Sequence, residues 1–271
     1  MDHLVVVITG ASSGIGAATA ELLAGRGARV VLVARRGAEL HTVAATCGAH
    51  ARAIVADVSR REDVQRVVAD TLQHYGHIDV WINNAGRGIT KPVSQLTDID
   101  VSEMMQVNLM TALYGMQETL PHFKERGTGQ VINVSSMLAR VPHAPFRAAY
   151  NAAKHALNAL TANFRTEVAQ THPGIAVSLV SPGVVQTDFG KNALHGGPDS
   201  RSFPNSQTAQ EVAEVIAQVI ETRRADTYTR TDGAAMVRAY YEAIATSGAP
   251  PELGRPVVNV ALNAPAPDLS D

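Results

Sequence analysis

The chain predicts an α/β domain whose parallel sheet is covered by helices on both faces, and three observations carry that reading. Short β-branched runs alternate with longer amphipathic stretches along most of the 271 residues. These runs are nearly continuous in apolar residues, as strands buried on both faces require. No internal repeat or linker breaks the rhythm before residue 245. Residues 1–245 are therefore read as one domain, and 246–271, rich in Pro, Ala and Gly, as an extended or mobile tail.

Taken in order, Leu4 to Thr9 is the first strand, and a glycine-rich turn leads from it into the helical pattern Ala17 to Ala24. Arg29 to Val33, Arg52 to Val55, Ile78 to Ile82, Gln130 to Val134 and Ala176 to Val180 follow as strands, with helices in the intervals. Two helix starts carry capping-box spacing, Asp100 with Glu103 and Thr208 with Glu211. The second precedes Val212, Val215, Ile216, Val219 and Ile220 at helical period, a stripe suited to core packing.

A net charge of -2 offers no basic footprint for nucleic acid and no polybasic patch for a membrane surface. Small molecules are the expected partners. Cys47 is the single cysteine, which excludes an intramolecular disulfide and a cysteine metal cluster, and no metal site is expected. The first apolar run is too short for a signal sequence or a membrane span, so the cytoplasm is the expected location.

The turn after the first strand reads Thr9-Gly10-Ala11-Ser12-Ser13-Gly14-Ile15-Gly16. Its glycines let backbone N–H groups approach a pyrophosphate, and the helix N-terminus favours negative charge. The second strand runs out at Arg35-Arg36, where dinucleotide folds discriminate between cofactors. A carboxylate there binds the ribose hydroxyls of NAD, whereas an arginine takes the 2′-phosphate of NADP. Arg35 thus favours NADP(H), with Arg36 in support and Ser12 or Ser13 as hydroxyl donors; NAD(H) is the alternative.

Tyr150 and Lys154 stand four apart in a helical stretch, so their side chains share a face. A lysine charge about 5 Å away, at an effective dielectric of about 20, lowers a phenol by about 2.4 of the roughly 3 pKa units separating it from neutrality. A second positive charge, such as an oxidised nicotinamide, would supply the rest. By itself the pair arises by chance in about one such chain in eleven.

Together, Thr9-Gly10-xxx-Gly14-x-Gly16, Asn83-Asn84-Ala85-Gly86, Asn108, Ser135-Ser136, Tyr150-xxx-Lys154 and Pro182-Gly183 through Thr187 resemble the short-chain dehydrogenase/reductase family over residues 4 to about 230. The resemblance implies a single-domain, doubly wound Rossmann fold with a seven-stranded parallel sheet, the seventh strand near Asp226 to Thr229. It implies that Tyr150, Lys154, Ser136 and Asn108 are catalytic, with Asn108 bending its helix and holding a water that links lysine to solvent. Asp57 and Val58 would receive the adenine, Asn83, Asn84, Ala85 and Gly86 would line the adenosine side, and Pro182, Gly183, Val185 and Thr187 would hold the nicotinamide carboxamide. Lys154 would also bind the nicotinamide ribose.

Ser136 and Tyr150 are fourteen apart where the family more often has about thirteen, an extra residue that enlarges the loop from Met137 to Ala149. Strand register favours Ser136 as the catalytic serine, with Ser135 as the alternative. The implied reaction is hydride transfer between nicotinamide and a carbonyl or secondary alcohol, with Tyr150 as general acid and base. Residues 189–204 fall where the fold places a substrate lid, and Phe189, His195, Phe203, Met137, His143 and Phe146 are candidates to line the pocket. A homodimer or homotetramer is expected, through the helices holding Asn108 and Tyr150, where Ala149, Ala152, Ala153 and Ala156 permit close approach or serve internal packing. A non-catalytic NADP-binding sensor is the alternative function, while a serine hydrolase is disfavoured because no Gly-x-Ser-x-Gly elbow is expected.

Overall fold

The computed structural model describes residues 1–251; the rest of the tail, 252–271, lies outside the described residues. Seven strands form one parallel sheet: β1 Val5–Thr9, β2 Arg29–Ala34, β3 Arg52–Val55, β4 Val80–Asn83, β5 Gly129–Val134, β6 Ile175–Ser181 and β7 Asp226–Tyr228. Their order is β3-β2-β1-β4-β5-β6-β7. The chain thus winds outward from β1 in one direction and returns through β4 in the other, which opens a crevice at the carboxyl ends of β1 and β4. The strands fall within two residues of the sequence expectation, because β1, β4 and β5 are buried along their whole length and carry the apolar runs that such strands need.

Helices α1 Gly14–Gly25, α2 Gly37–Cys47 and α7 Ala209–Thr222 cover one face, where Val6, Ile8, Leu32, Ile132, Val212 and Ile216 share a core. Helices α3 Arg61–Tyr75, α5 Thr111–Arg126 and α6 Ala148–Thr171 cover the other around Trp81, Met116 and Phe123. Helix α4 Asp98–Met105 packs on α6, and α8 Gly233–Ser247, which the sequence reading did not anticipate, follows β7.

Thr208 and Glu211 form the expected capping box at the start of α7. The box at α4 stands three residues earlier than expected. The Thr97 hydroxyl accepts from the Asp100 N–H at 3.2 Å, and the Asp100 carboxylate accepts from the Thr97 N–H at 2.9 Å. Glu103 instead reaches Arg87 at 2.8 Å. Asp and Glu both serve at the third helical position, so the letters alone admitted either frame. Ala149 and Ala153 are buried inside the chain, whereas Ala152 is exposed. Among the described residues no helix is long and apolar enough to cross a membrane.

Candidate active site

Strand ends place every motif on one rim of the sheet. Ser136 follows β5, Tyr150 and Lys154 lie in the first two turns of α6, and all three are buried. The Ser136 hydroxyl accepts from the Leu138 N–H at 3.1 Å, and Ser136 acts to lower the pKa of Tyr150. Ser135 points elsewhere, donating to Asn158 Oδ1 at 2.6 Å. The alternation of side chains along an extended segment separates the two serines, and the pairing with tyrosine falls to Ser136.

Lys154 Nζ donates to the Val134 carbonyl at 2.9 Å, leaving two protons for a ligand. Burial brings its pKa down to about 8. Burial also raises the Tyr150 phenol, which Ser136 and the charge of Arg147 act to lower. The nearby cation favouring the phenolate is thus Arg147, where helical spacing had pointed to Lys154.

Asn108 occupies a π-turn, Gln106–Met110, between α4 and α5, so the expected local bend of this helix takes the form of a widened turn. Both of its amide protons are committed, Nδ2 donating to the carbonyls of Arg87 at 2.9 Å and Met104 at 3.1 Å, while Oδ1 accepts from the Arg87 N–H at 3.1 Å and keeps one lone pair. Gly86 lies between the amide and the lysine. A Cβ there would stand 2.9 Å from Asn108 Oδ1 and 3.7 Å from Lys154 Nζ.

At the other end of the crevice, Gly10 and Gly14 adopt positive φ, which glycine tolerates without strain. Gly16 packs under the turn, where a Cβ would meet the Gly10 carbonyl oxygen at 2.5 Å and Asn84 Nδ2 at 2.6 Å. The turn is pinned to β4 by Asn84 Nδ2 on the Thr9 carbonyl at 2.9 Å and by the Asn84 and Ala85 N–H groups on Thr9 Oγ1, each at 3.0 Å. Its first helical residues, from Gly14 through Ile15, then begin α1 and point their free N–H groups into the crevice mouth. With backbone donors at one end of the rim and a buried Ser-Tyr-Lys set at the other, the site fits a dinucleotide laid across the switch point.

The sequence matches the short chain dehydrogenase family over residues 4–196. The chain belongs to this family. It is accordingly an NAD(P)-dependent oxidoreductase. An uncharacterized oxidoreductase of Staphylococcus epidermidis is 36% identical over 196 residues, covering 69% of this chain and 83% of that protein. A short chain dehydrogenase/reductase from Burkholderia phymatum, solved in complex with NAD, superposes with a TM-score of 0.84 at 26% identity, covering 93% of this chain and 97% of that one. An alcohol dehydrogenase from the archaeon Thermococcus sibiricus, complexed with 5-hydroxy-NADP, has a TM-score of 0.73 at 28% identity over 84% of this chain and 96% of its own.

Within this short-chain dehydrogenase/reductase the two arginines after β2 divide. Arg36 Nη2 donates to Ser12 Oγ at 3.0 Å and to Ser13 Oγ at 2.6 Å, whereas Arg35 lies 3.9 Å from Asp57 Oδ2. The turn also carries, against expectation, the letters of a nucleophile elbow in Gly10-Ala11-Ser12-Ser13-Gly14. Its serines face a guanidinium and no histidine, so they lack the base that acyl transfer needs. Asp57, followed by Val58, holds Ser59 through its N–H at 3.0 Å and its hydroxyl at 2.7 Å.

Asn83 is a structural residue: it accepts from Trp81 Nε1 at 2.7 Å and donates to Asn133 Oδ1 at 2.8 Å beneath the sheet rim. Past β6, the Pro182 carbonyl accepts from the Met137 N–H at 2.8 Å, and Gly183 fits against Arg230. The Thr187 N–H donates to the Val185 carbonyl at 2.8 Å. Thr187 also approaches the glycine turn, since a Cβ on Gly14 would meet its methyl at 3.1 Å.

Of the six pocket candidates, Phe189 is brought to the site, edge-on to Tyr150 with ring centroids 5.5 Å apart. His195 turns away to Asp100, Nε2 to Oδ1 at 2.7 Å, and His143 folds back to the Val141 carbonyl at 3.0 Å. Phe146 lies against Arg147. No periodicity marks a buried arginine just before a catalytic tyrosine, so Arg147 had no signal in the sequence.

Proposed function

We propose that this enzyme is an NADPH-preferring reductase of ketones or aldehydes, with Tyr150, Ser136, Lys154 and Asn108 as its catalytic set. The observation that carries the reading is the joint burial of Ser136, Tyr150 and Lys154, with one lysine proton on the Val134 carbonyl and the others free. Ser136 and Tyr150 hold the carbonyl oxygen between them, and Tyr150 donates a proton to it as negative charge develops. A bound nicotinamide supplies the hydride.

Lys154 orients the nicotinamide ribose, and its charge adds to that of Arg147 in favouring the phenolate once the proton has left. A water held at Asn108, near the point above Gly86, returns the proton from solvent. Gly10, Ser12, Ser13, Gly14, Ile15 and Gly16 cradle the pyrophosphate. Arg36 and Arg35 take the 2′-phosphate, Arg36 in the leading role because it already converges with Ser12 and Ser13. Asp57, Val58, Asn84, Ala85 and Gly86 border the adenosine, and Pro182, Gly183, Val185 and Thr187 the carboxamide. We further assign the enzyme to the cytoplasm as a homo-oligomer.

Steady-state oxidation of NADPH against a panel of ketones and aldehydes tests this. Tyr150→Phe should lower kcat about 10²- to 10⁴-fold with the cofactor still bound. Unchanged turnover would refute the assignment of the general acid, and no turnover in the parent with any carbonyl would favour the sensor.

A further inference from the structure

Arg147 immediately precedes α6 and is only 7% exposed. Nη1 donates to the Ile89 carbonyl at 2.9 Å, and the guanidinium sits 5.5 Å from the Phe146 ring centroid and 6.0 Å from that of Phe189. Among the described residues no carboxylate pairs with it, and Nε and Nη2 have no hydrogen-bond acceptor. Asp100, which pairs with the Lys91 that bridges to Arg147, is already taken by Lys91 and His195. A buried cation without a counter-charge is costly, and the cost is relieved when a ligand brings the anion.

Two further facts define where that anion sits. Phe189 touches both Arg147 and Tyr150, so the guanidinium and the catalytic phenol flank one aromatic ring. Thr90 Oγ1, also buried, has no hydrogen-bond partner. A Cβ placed on Gly197 would lie 2.8 Å from Thr90 Oγ1 and 3.3 Å from Arg147 Nη2. The two uncommitted groups are therefore within about 6 Å of each other, a gap the two oxygens of one carboxylate span with ordinary hydrogen bonds. That point is one bond from the Gly197 Cα and 2.6 Å from the Gly190 carbonyl oxygen, so the segment 190–197 has to draw back as the anion enters.

We propose that Arg147 and the Thr90 hydroxyl bind the carboxylate of an oxo-acid or hydroxy-acid substrate, so that this enzyme selects carbonyl compounds with an anionic group close to the reacting carbon. The proposal rests on the reductase reading given above. It makes Arg147 a specificity-determining residue, whose effect on the phenol is secondary to its contact with substrate.

The test pairs each of a series of 2-, 3- and 4-oxo acids with its carboxamide, nearly equal in size but neutral, and compares kcat/KM with NADPH. For at least one chain length the parent should favour the acid by tenfold or more, chiefly through KM. Arg147→Gln should bring that ratio close to one, Arg147→Lys should restore part of it, and Thr90→Val should reduce it several-fold. A parent ratio near one at every chain length overturns the proposal, as does an Arg147→Gln loss equal for acid and amide. Thr90→Val decides the matter should Arg147→Gln not fold, since an unchanged ratio there also counts against the site. Calorimetric titration of the hydroxy acids into enzyme saturated with NADP separates the two readings. Arg147-dependent binding without turnover of any carbonyl leaves the anion site standing and removes the reductase assignment.

Discussion

At the reacting end of the crevice Ser136, Tyr150 and Lys154 are each less than 9% exposed, whereas at the adenosine end the side chains of Arg35 and Arg36 are 66% and 47% exposed. The same Coulombic attraction acts differently in the two places. Where water is excluded, one charge or hydrogen bond moves a pKa, as Arg147 and Ser136 do for Tyr150. Where water is present, a charge is screened within about 8–10 Å at ordinary ionic strength. On the proposed function, chemistry belongs to the dry end and choice of cofactor to the wet one, and substitutions should divide accordingly.

After the loss expected at Tyr150→Phe, the largest effect is expected from separating the paired serines. Ser136→Ala removes a donor to the developing oxyanion and should lower kcat/KM about 10²- to 10³-fold. Ser135→Ala should leave kcat near the parent value while lowering stability by about 1–3 kcal/mol, because Asn158 Oδ1 loses its donor. Assay and denaturant melts on the two variants distinguish them. A loss of turnover in Ser135→Ala as large as in Ser136→Ala would mean that the dry end does not discriminate as its geometry indicates.

A second effect concerns the roof of that end. Burial pushes the Asp100 carboxyl up, yet hydrogen bonds from Lys91, the Thr97 backbone and His195 outweigh it and hold the group well below the usual carboxylate range. Through His195 the carboxylate ties residues 189–204 to the start of α4. Since the folded pKa is depressed, the stabilisation is complete above the unfolded value of about 3.9 and is lost as pH falls through the folded one. Asp100→Asn should cost about 2–3 kcal/mol at pH 7. Its penalty relative to the parent should shrink as the pH is lowered from 5 toward 2. Melting temperatures across that range check the sign, and a penalty independent of pH would show that the charge is not what anchors residues 189–204.

The division also decides what could be read from residues alone. Strands such as Val5–Thr9 and Gly129–Val134 were readable because burial on two faces imposes a composition, and Tyr150 with Lys154 because helical spacing imposes a shared face. Arg147 and Thr90 were not, since what marks them is a cation without a counter-charge and a hydroxyl without a partner, which only three-dimensional placement reveals. The capping box at Thr97 was misplaced because Asp100 fits as cap or as third helical residue, and nothing local decides. Helix α8 starts after Asp232, a capping letter whose carboxylate pairs with Arg230 and makes no cap bond.

At the wet end the expected effects are smallest and depend on salt. Arg36 has the better claim to a 2′-phosphate because Ser12 and Ser13 converge on its guanidinium, so that one phosphate could meet all three, while Arg35 leans toward Asp57. Arg36→Ala should reduce the preference for NADPH over NADH about tenfold, and Arg35→Ala only about two- to threefold, as exposed charge-assisted contacts permit. Both effects should diminish between 0.05 and 0.5 M salt, while the Ser136→Ala defect stays constant, because screening reaches exposed charges and not buried ones. Ratios of kcat/KM for the two cofactors, measured for each variant across that salt range, give the comparison directly. If Arg35→Ala proved the more damaging, the phosphate would sit on the Asp57 side of the rim and the serines of the turn would serve the pyrophosphate alone.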